Sequence, residues 1–156
     1  MAVEARVDVP TRLADDASIP WGEVGGGFAL KLFRRGKDDG VYSMLNRFDP
    51  GFRAPKHRHL GEVHGYTLAG RWYYEEYDWV AGAGDYIHEP AGSVHTLVVP
   101  ADNPAPTVVF FTVALGLELM DDAGNVFLVQ DAAGMELLYR VSLEKQGLAY
   151  PAGVLP

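Results

Sequence analysis

The sequence predicts a single-domain, all-β protein, a barrel or sandwich of short strands that ends in one C-terminal helix. The chain has 156 residues, the size of one ordinary domain. Turn signals such as Asp49-Pro50-Gly51 separate short β-branched or aromatic segments at intervals of roughly eight to twelve residues. After Asp131 the apolar pattern changes to the period of a helix.

Residues 1–27 are expected to form an extended N-terminal arm or edge segment. They contain Pro10, Pro20 and the three glycines at 25–27, which disfavour regular structure. Trp21 is expected to anchor the arm on the barrel, because an aromatic side chain of this size is seldom left wholly exposed.

Residues 28–147 are expected to form the barrel and its helix. The predicted strands are rich in β-branched and aromatic residues, and they cover 28–33, 41–48, 55–59, 63–68, 71–79, 86–89, 94–99, 107–117 and 126–130.

The last predicted element is a helix that begins after Asp131. Met135, Leu138 and Ser142 share one helical stripe, and the aspartate is a favoured N-cap residue. The tail, residues 148–156, is expected to be loosely held.

All five histidines lie between residues 57 and 95. His57 and His59 are two apart in an extended segment, so their side chains point to the same face of a strand. Two adjacent imidazoles are half of a metal site. Such a pair also occurs as exposed polar residues on an edge strand, and the block from Gly84 to His95 argues against that interpretation.

Two segments resemble the motifs of the cupin superfamily. Residues 55–70 resemble the first cupin motif, and residues 84–95 match the second, Gly-x5-Pro-x-Gly-x2-His, at every fixed position. The resemblance implies a double-stranded β-helix barrel in which His57, His59 and His95 bind one metal ion.

The first motif departs from the family pattern at one position. Cupins usually carry a glutamate ligand four or five residues after the second histidine, whereas here His64 falls in that position and Glu62 lies two residues early. Three roles remain open for His64, namely a metal ligand, a catalytic contact to substrate, or a core residue.

The longer string from His64 to Leu97 resembles one branch of the superfamily, which contains 2,4'-dihydroxyacetophenone dioxygenase and acetylacetone dioxygenase-like proteins. The resemblance implies an Fe(II) dioxygenase that cleaves a C–C bond of a small enolisable ketone with O₂. Zn, Ni or Cu also suit imidazole ligands. Two alternatives remain, a non-catalytic metal-cupin that binds or senses a small molecule and a redox-neutral isomerase or lyase.

An all-histidine site has a chemical consequence. Three neutral imidazoles leave the full charge on a divalent ion, so an anionic chelating substrate such as an enolate is favoured. Three histidines on one face of an octahedron leave positions for the chelate and for dioxygen, whereas His64 as a fourth ligand would remove one of them.

Glu89 is the carboxylate with the strongest expected role. It lies between His88 and Pro90 and would either take the substrate proton or orient a histidine ligand; a surface carboxylate at a turn is the alternative. Because strand side chains alternate, only one of His88 and Glu89 is expected to point inward, and Glu89 is favoured. Four aromatic residues would wall an aromatic-substrate pocket or pack the core: Tyr66, Trp72, Tyr74 and Tyr86.

Composition excludes other functions. The chain has no cysteine, so it has no disulfide and no thiolate metal site. A net charge of −8 disfavours nucleic acid and anionic membranes. No apolar stretch is long enough to span a bilayer and the N-terminus has no signal-peptide core, so a cytoplasmic location is expected. The cupin resemblance also implies a homodimer.

Overall fold

The computed structural model describes residues 10–156 and confirms a cupin barrel with one C-terminal helix. Residues 1–9, the start of the predicted arm, lie outside the described residues. The described strands are β1 Gly22–Gly25, β2 Phe28–Arg34, β3 Val41–Phe48, β4 Lys56–His59, β5 Val63–Ala69, β6 Arg71–Tyr74, β7 Ala81–Gly82, β8 Tyr86–Glu89, β9 Val94–His95, β10 Leu97–Val98, β11 Thr107–Ala114, β12 Leu117–Met120 and β13 Val126–Gln130.

The strands form three antiparallel sheets. A six-stranded sheet has the order β1-β2-β3-β11-β5-β8, and a four-stranded sheet has the order β13-β12-β4-β9. A small third sheet has the order β10-β6-β7. Inward-facing residues of the first two sheets meet in one core, because side chains alternate along every strand and only one face of each sheet is buried.

Strand β3 illustrates this alternation. Tyr42, Met44, Asn46 and Phe48 are buried, while the residues between them are more exposed. Its neighbour β11 alternates in the same way over its full length. Three of the four inward residues of β3 are apolar and pack the core, and the exception is Asn46.

The predicted strand over residues 107–117 is two strands. Leu115 and Gly116 both have positive φ, 63° and 96°, and end β11. A Cβ on Gly116 would lie 2.3 Å from the carbonyl oxygen of Gln130, so only glycine fits this crossing. The chain thereby leaves the six-stranded sheet, and β12 pairs with β4 in the other sheet.

The C-terminal helix α1 spans Ala132–Lys145, which confirms the predicted element. The Asp131 side chain caps it by accepting a hydrogen bond from the Gly134 backbone N–H at 2.8 Å. Tyr139 is fully buried, and its hydroxyl donates to the carbonyl oxygen of Pro20 at 2.6 Å, which fixes the helix beside β1. No helix of residues 10–156 is long and apolar enough to cross a membrane.

The segment before β1 and the C-terminal tail both contact the barrel. Ile19 is fully buried, while Trp21, the predicted anchor, is half-buried with the Arg47 guanidinium 4.8 Å from its ring centroid. The expectation of a loosely held tail is wrong. The backbone N–H of Leu155 donates to the Phe33 carbonyl at 2.9 Å, which adds the tail to the edge of β2.

Candidate metal centre

Three histidines converge inside the barrel. His57 and His59 face inward from β4, and His95 of β9 lies directly opposite His57 in the antiparallel register. Their ligand nitrogens all lie within 4.8 Å of one another, and the Nε2 atoms of His59 and His95 are 3.1 Å apart. All three residues are buried. The strands therefore place the histidines of both motifs together.

The turn between β8 and β9 determines where His95 lies. Gly92 has a φ of 85°, and its N–H donates to the His59 carbonyl at 2.7 Å. The His59 N–H donates to the Ser93 carbonyl at 3.0 Å. These backbone bonds lock the Pro90–Ser93 turn against β4, so the last histidine of the motif enters the site.

Burial keeps the histidines neutral. Burial, together with the smaller effect of neighbouring imidazoles, lowers the pKa of His95 to about 2 and the pKa of His59 to about 3. Burial also lowers the pKa of His57. Neutral imidazoles keep a free lone pair, so at neutral pH all three are competent metal ligands.

Neighbouring groups orient two of the rings. His57 Nδ1 donates to the Pro55 carbonyl oxygen at 3.0 Å, which leaves Nε2 free to bind a metal. The Tyr74 ring stacks on His95, with centroids 3.7 Å apart and planes 14° apart. The Nδ1 atoms of His59 and His95 have no hydrogen-bond partner among the described residues, so packing orients these two rings.

Glu89 of β8 places its carboxylate beside the buried histidines. It is buried, as its strand parity predicts, while His88 beside it is exposed. Glu89 Oε2 lies 3.2 Å from His59 Nε2, and Oε1 lies 3.4 Å from His95 Nε2. The Tyr74 hydroxyl donates a hydrogen bond to Oε1.

The environment of Glu89 favours its protonated form relative to an exposed carboxylate. Burial raises the pKa of Glu89 and outweighs the hydrogen bond from Tyr74, which acts in the opposite direction, so that the pKa is raised to about 7. Glu89 Oε2 has no hydrogen-bond partner among the described residues and faces the histidine nitrogens. The carboxylate missing from the first motif is thus supplied to this region by a different strand.

His57, His59 and Glu89 line one part of a cavity of about 330 Å³, within the usual range for small-molecule sites of about 300–1,000 Å³. Aromatic side chains form part of its wall, and Phe48 stacks on Phe28 and on Phe52 with centroids 5.4 Å and 4.9 Å away. Met135 and Leu138 of α1 also line it. The cavity wall is therefore polar where it includes His57, His59 and Glu89, and it is apolar over its aromatic and helical sides.

The four aromatic residues predicted for a substrate pocket do not all lie together in the structure. Tyr74 lines the cavity. Trp72 is fully buried and donates from its indole N–H to Thr67 Oγ1 at 2.8 Å. Tyr66 and Tyr86 are exposed on the outer face of the barrel.

His64 does not join the three buried histidines. It lies opposite His88 on the outer face, and its Nε2 contacts Glu62 Oε1 at 3.1 Å. Its Nδ1 contacts the Tyr86 hydroxyl. His88 Nε2 also contacts Glu62 Oε1, at 2.7 Å. Gly65 follows on β5, and Val63 is the inward residue of this segment, so strand parity turns His64 outward.

Asn46 was not predicted as a site residue, although it lines the cavity together with His57 and His59. The signal in the sequence was a polar residue on the inward parity of an otherwise apolar strand. That signal becomes informative only when the cavity opposite β3 is known.

The three histidines fit a divalent ion. Their donor set is all nitrogen, and the 3.1 Å separation of two Nε2 atoms suits neighbouring ligands that each lie roughly 2.0–2.2 Å from one ion. Imidazole ligands suit Fe, Zn, Ni and Cu alike. Fold and cluster together define a cupin with three histidines placed so that they could hold one metal ion.

Comparison with known proteins specifies the family. The chain matches the ChrR cupin-like domain family over residues 10–117 and therefore belongs to it. No curated protein sequence matches the chain.

Many solved structures share this fold, including the following three. An RmlC-like cupin protein from Ralstonia eutropha is 28% identical with a TM-score of 0.85, over 95% of this chain and 96% of that one. Acetylacetone dioxygenase from Acinetobacter johnsonii is 17% identical with a TM-score of 0.72, over 91% and 98% of the two chains. A chain from the complex of SigE with the anti-sigma ChrR of Rhodobacter sphaeroides is 24% identical with a TM-score of 0.52, over 65% and 50%.

Proposed function

We propose that this protein is an Fe(II)-dependent dioxygenase that cleaves a C–C bond of a small enolisable ketone. The observation that carries the proposal is a cluster of three neutral histidines and one buried carboxylate, of which His57, His59 and Glu89 line a largely apolar cavity. This combination suits a substrate with a chelating, acidic head and an apolar body. The likeness to acetylacetone dioxygenase adds support at the level of the fold.

The protein's own residues supply three functions in this proposal. His57, His59 and His95 hold the divalent ion, which when bound stabilises an enolate and, as iron, activates dioxygen. Glu89 faces the point where the oxygens of the ketone would lie, so it accepts the proton released on enolisation. The apolar wall excludes water and holds the body of the substrate.

The overall reaction needs no external reductant. An α-hydroxyketone R–CO–CH₂OH and O₂ give R–COOH and HCOOH, so both oxygen atoms of dioxygen enter the products and the C–C bond between the carbonyl and the carbinol carbon breaks. With 2,4'-dihydroxyacetophenone as substrate, the products are 4-hydroxybenzoate and formate.

Oxygen uptake tests this proposal. Protein loaded with Fe(II) under argon is mixed with aerated 2,4'-dihydroxyacetophenone or with acetylacetone, and one O₂ should be consumed for each ketone without added reductant. Zinc-loaded protein is the control, because zinc has no redox chemistry. No uptake with a panel of α-hydroxyketones and β-diketones, in protein shown to contain iron, would rule out the dioxygenase.

The family match favours a second candidate, a cupin that binds a metal and a small molecule without turnover. An anti-sigma protein, ChrR, gives the family its name and shares this fold. A ketone that binds to the iron-loaded protein without oxygen uptake would favour this candidate.

We also propose a homodimer that associates through β13. This strand is an edge of the four-stranded sheet, and Val126, Phe127, Leu128 and Val129 are all exposed. An apolar edge strand with free backbone groups is a template for pairing with another strand, and a second copy supplies an identical edge related by a two-fold axis.

Phe127→Lys should therefore convert the dimer to a monomer in sedimentation equilibrium. The side chain is 61% exposed and does not line the cavity, so the fold should be retained. Leu13→Lys is the matched control, since Leu13 is an exposed apolar residue away from β13. A monomeric wild type, or a dimer that survives Phe127→Lys, would refute association through this strand.

A further inference from the structure

Two histidines form a cross-strand pair on the outer face of the barrel. His64 of β5 and His88 of β8 lie directly opposite each other in the antiparallel register, and their ring centroids are 5.4 Å apart. Side chains that are opposite each other on paired strands have Cβ atoms about 4.5–5.5 Å apart and lie on the same face of the sheet. Two imidazoles in this arrangement can bind one metal ion between them.

Glu62 supplies a third donor to the same pair. Its Oε1 atom lies 3.1 Å from His64 Nε2 and 2.7 Å from His88 Nε2, so one carboxylate oxygen faces both nitrogens. The histidine side chains are each 46% exposed and that of Glu62 is 55% exposed, which leaves them free to rotate. Because zinc binds nitrogen at about 2.0–2.1 Å, the three groups close around an ion with shifts of about 1–2 Å.

Neighbouring contacts favour the binding of a cation at this outer cluster, which consists of Glu62, His64 and His88. The Tyr86 hydroxyl contacts His64 Nδ1 and can accept a hydrogen bond from it. A proton on Nδ1 leaves the lone pair of Nε2 free for a metal. Within residues 10–156 no lysine or arginine forms an ion pair with Glu62, so the negative charge of this carboxylate faces only the two imidazoles.

The outer cluster is separate from the buried histidines. Val63 and Glu89, the chain neighbours of His64 and His88, are buried on the opposite face of the same two strands. The backbone of the sheet therefore lies between the outer cluster and the inner histidines, and the two groups cannot share one ion.

We propose that the outer cluster is a second metal site, which binds a divalent transition-metal ion of the zinc type from solvent. Two imidazoles and one carboxylate are the protein ligands of zinc sites that keep a water ligand, and solvent has direct access here. Strand β8 is an edge of the six-stranded sheet, so the ion links this edge strand to β5. Such an exposed ion exchanges with solvent and is removed by desalting, so the metal content of desalted protein reports the buried histidines alone.

Equilibrium dialysis against a series of free Zn²⁺ concentrations tests the proposal. Wild-type protein should bind two ions per chain, of which one is lost on desalting. His64→Ala and His88→Ala should each weaken binding of the exchangeable ion by about 100-fold or more, because each removes a ligand and not merely a group that supports one. His95→Gln alters only the buried histidines and should keep the exchangeable ion, so the result does not depend on the proposed function.

A pair of carboxylate variants separates ligation from general charge. Glu62→Gln should weaken binding of the exchangeable ion as the histidine variants do. Glu75→Gln is the matched control, because Glu75 is an exposed carboxylate that pairs with Arg53 and removing it changes the net charge equally. This control should bind both ions as the wild type does. Circular dichroism of each variant reports whether it is folded.

Two results would overturn the proposal. The first is a wild-type protein that binds no exchangeable Zn²⁺, a measurement that needs no variant. The second is exchangeable Zn²⁺ that binds with unchanged affinity when both His64 and His88 are replaced by alanine, since the ion would then lie elsewhere on the surface.

Discussion

Replacing His95 by alanine is expected to remove the metal. One of three ligands is lost, so metal affinity should fall by more than the roughly 10–100-fold change produced by removing a group that only supports a ligand. Activity should be lost in parallel. Metal content per folded protein, measured by inductively coupled plasma mass spectrometry, checks the first expectation.

Metal loss should also be visible in stability. A ligand that binds only the folded state at 100 times its Kd stabilises that state by about 2.7 kcal/mol. A chelator should accordingly lower the Tm of the wild type by about 5–10 °C, and it should leave the Tm of His95→Ala unchanged. His95→Gln fills the space left by the buried imidazole and should behave like the alanine variant.

His88→Ala is the matched control for these measurements. His88 belongs to the same motif but is exposed on the outer face, so its loss should leave the metal content and the chelator effect intact. Retention of metal by both His95 variants would mean that the three histidines do not form a metal site.

Glu89→Gln is expected to separate proton transfer from metal binding. Glutamine keeps the size and hydrogen-bonding reach of the carboxylate but removes its charge and basicity. Turnover should slow by about 10²–10⁴-fold, the range for a lost acid–base group, while metal content stays near that of the wild type. Rate and metal content are measured on the same preparation.

Glu62→Gln is the control, because Glu62 is an exposed carboxylate whose ionic partners within residues 10–156 are the outer-face residues His64 and His88. A metal affinity lowered by roughly 10–100-fold in Glu89→Gln, with the rate per bound metal retained, would make Glu89 a support for the ligands instead. Loss of metal equal to that of His95→Ala would make it a ligand. A variant equal to the wild type in both properties would show that Glu89 has neither role.

Histidine positions illustrate what strand parity can predict. His57 and His59 share a face because two residues separate them, and Glu89 points inward because His88 points outward. His64 lies in the glutamate position of the first motif by sequence count, yet its strand turns it to the outer face. Counting residues could not resolve its role, because the parity of β5 depends on how that strand pairs with β8 and β11.

The sequence by itself determined an all-β barrel or sandwich and a capped C-terminal helix, since these follow from local turn residues and from the period of the apolar pattern. The resemblance to cupins, and not any local pattern, implied the barrel and the grouping of the two histidine motifs. Only the tertiary structure decided the break at Leu115-Gly116, the docking of the tail on β2, the approach of Glu89 to the histidines and the position of Asn46 in the cavity wall. These features depend on which strands lie opposite one another. Residues from separate sheets come into contact only when the barrel closes, so no local pattern in the chain can predict which of them will be neighbours.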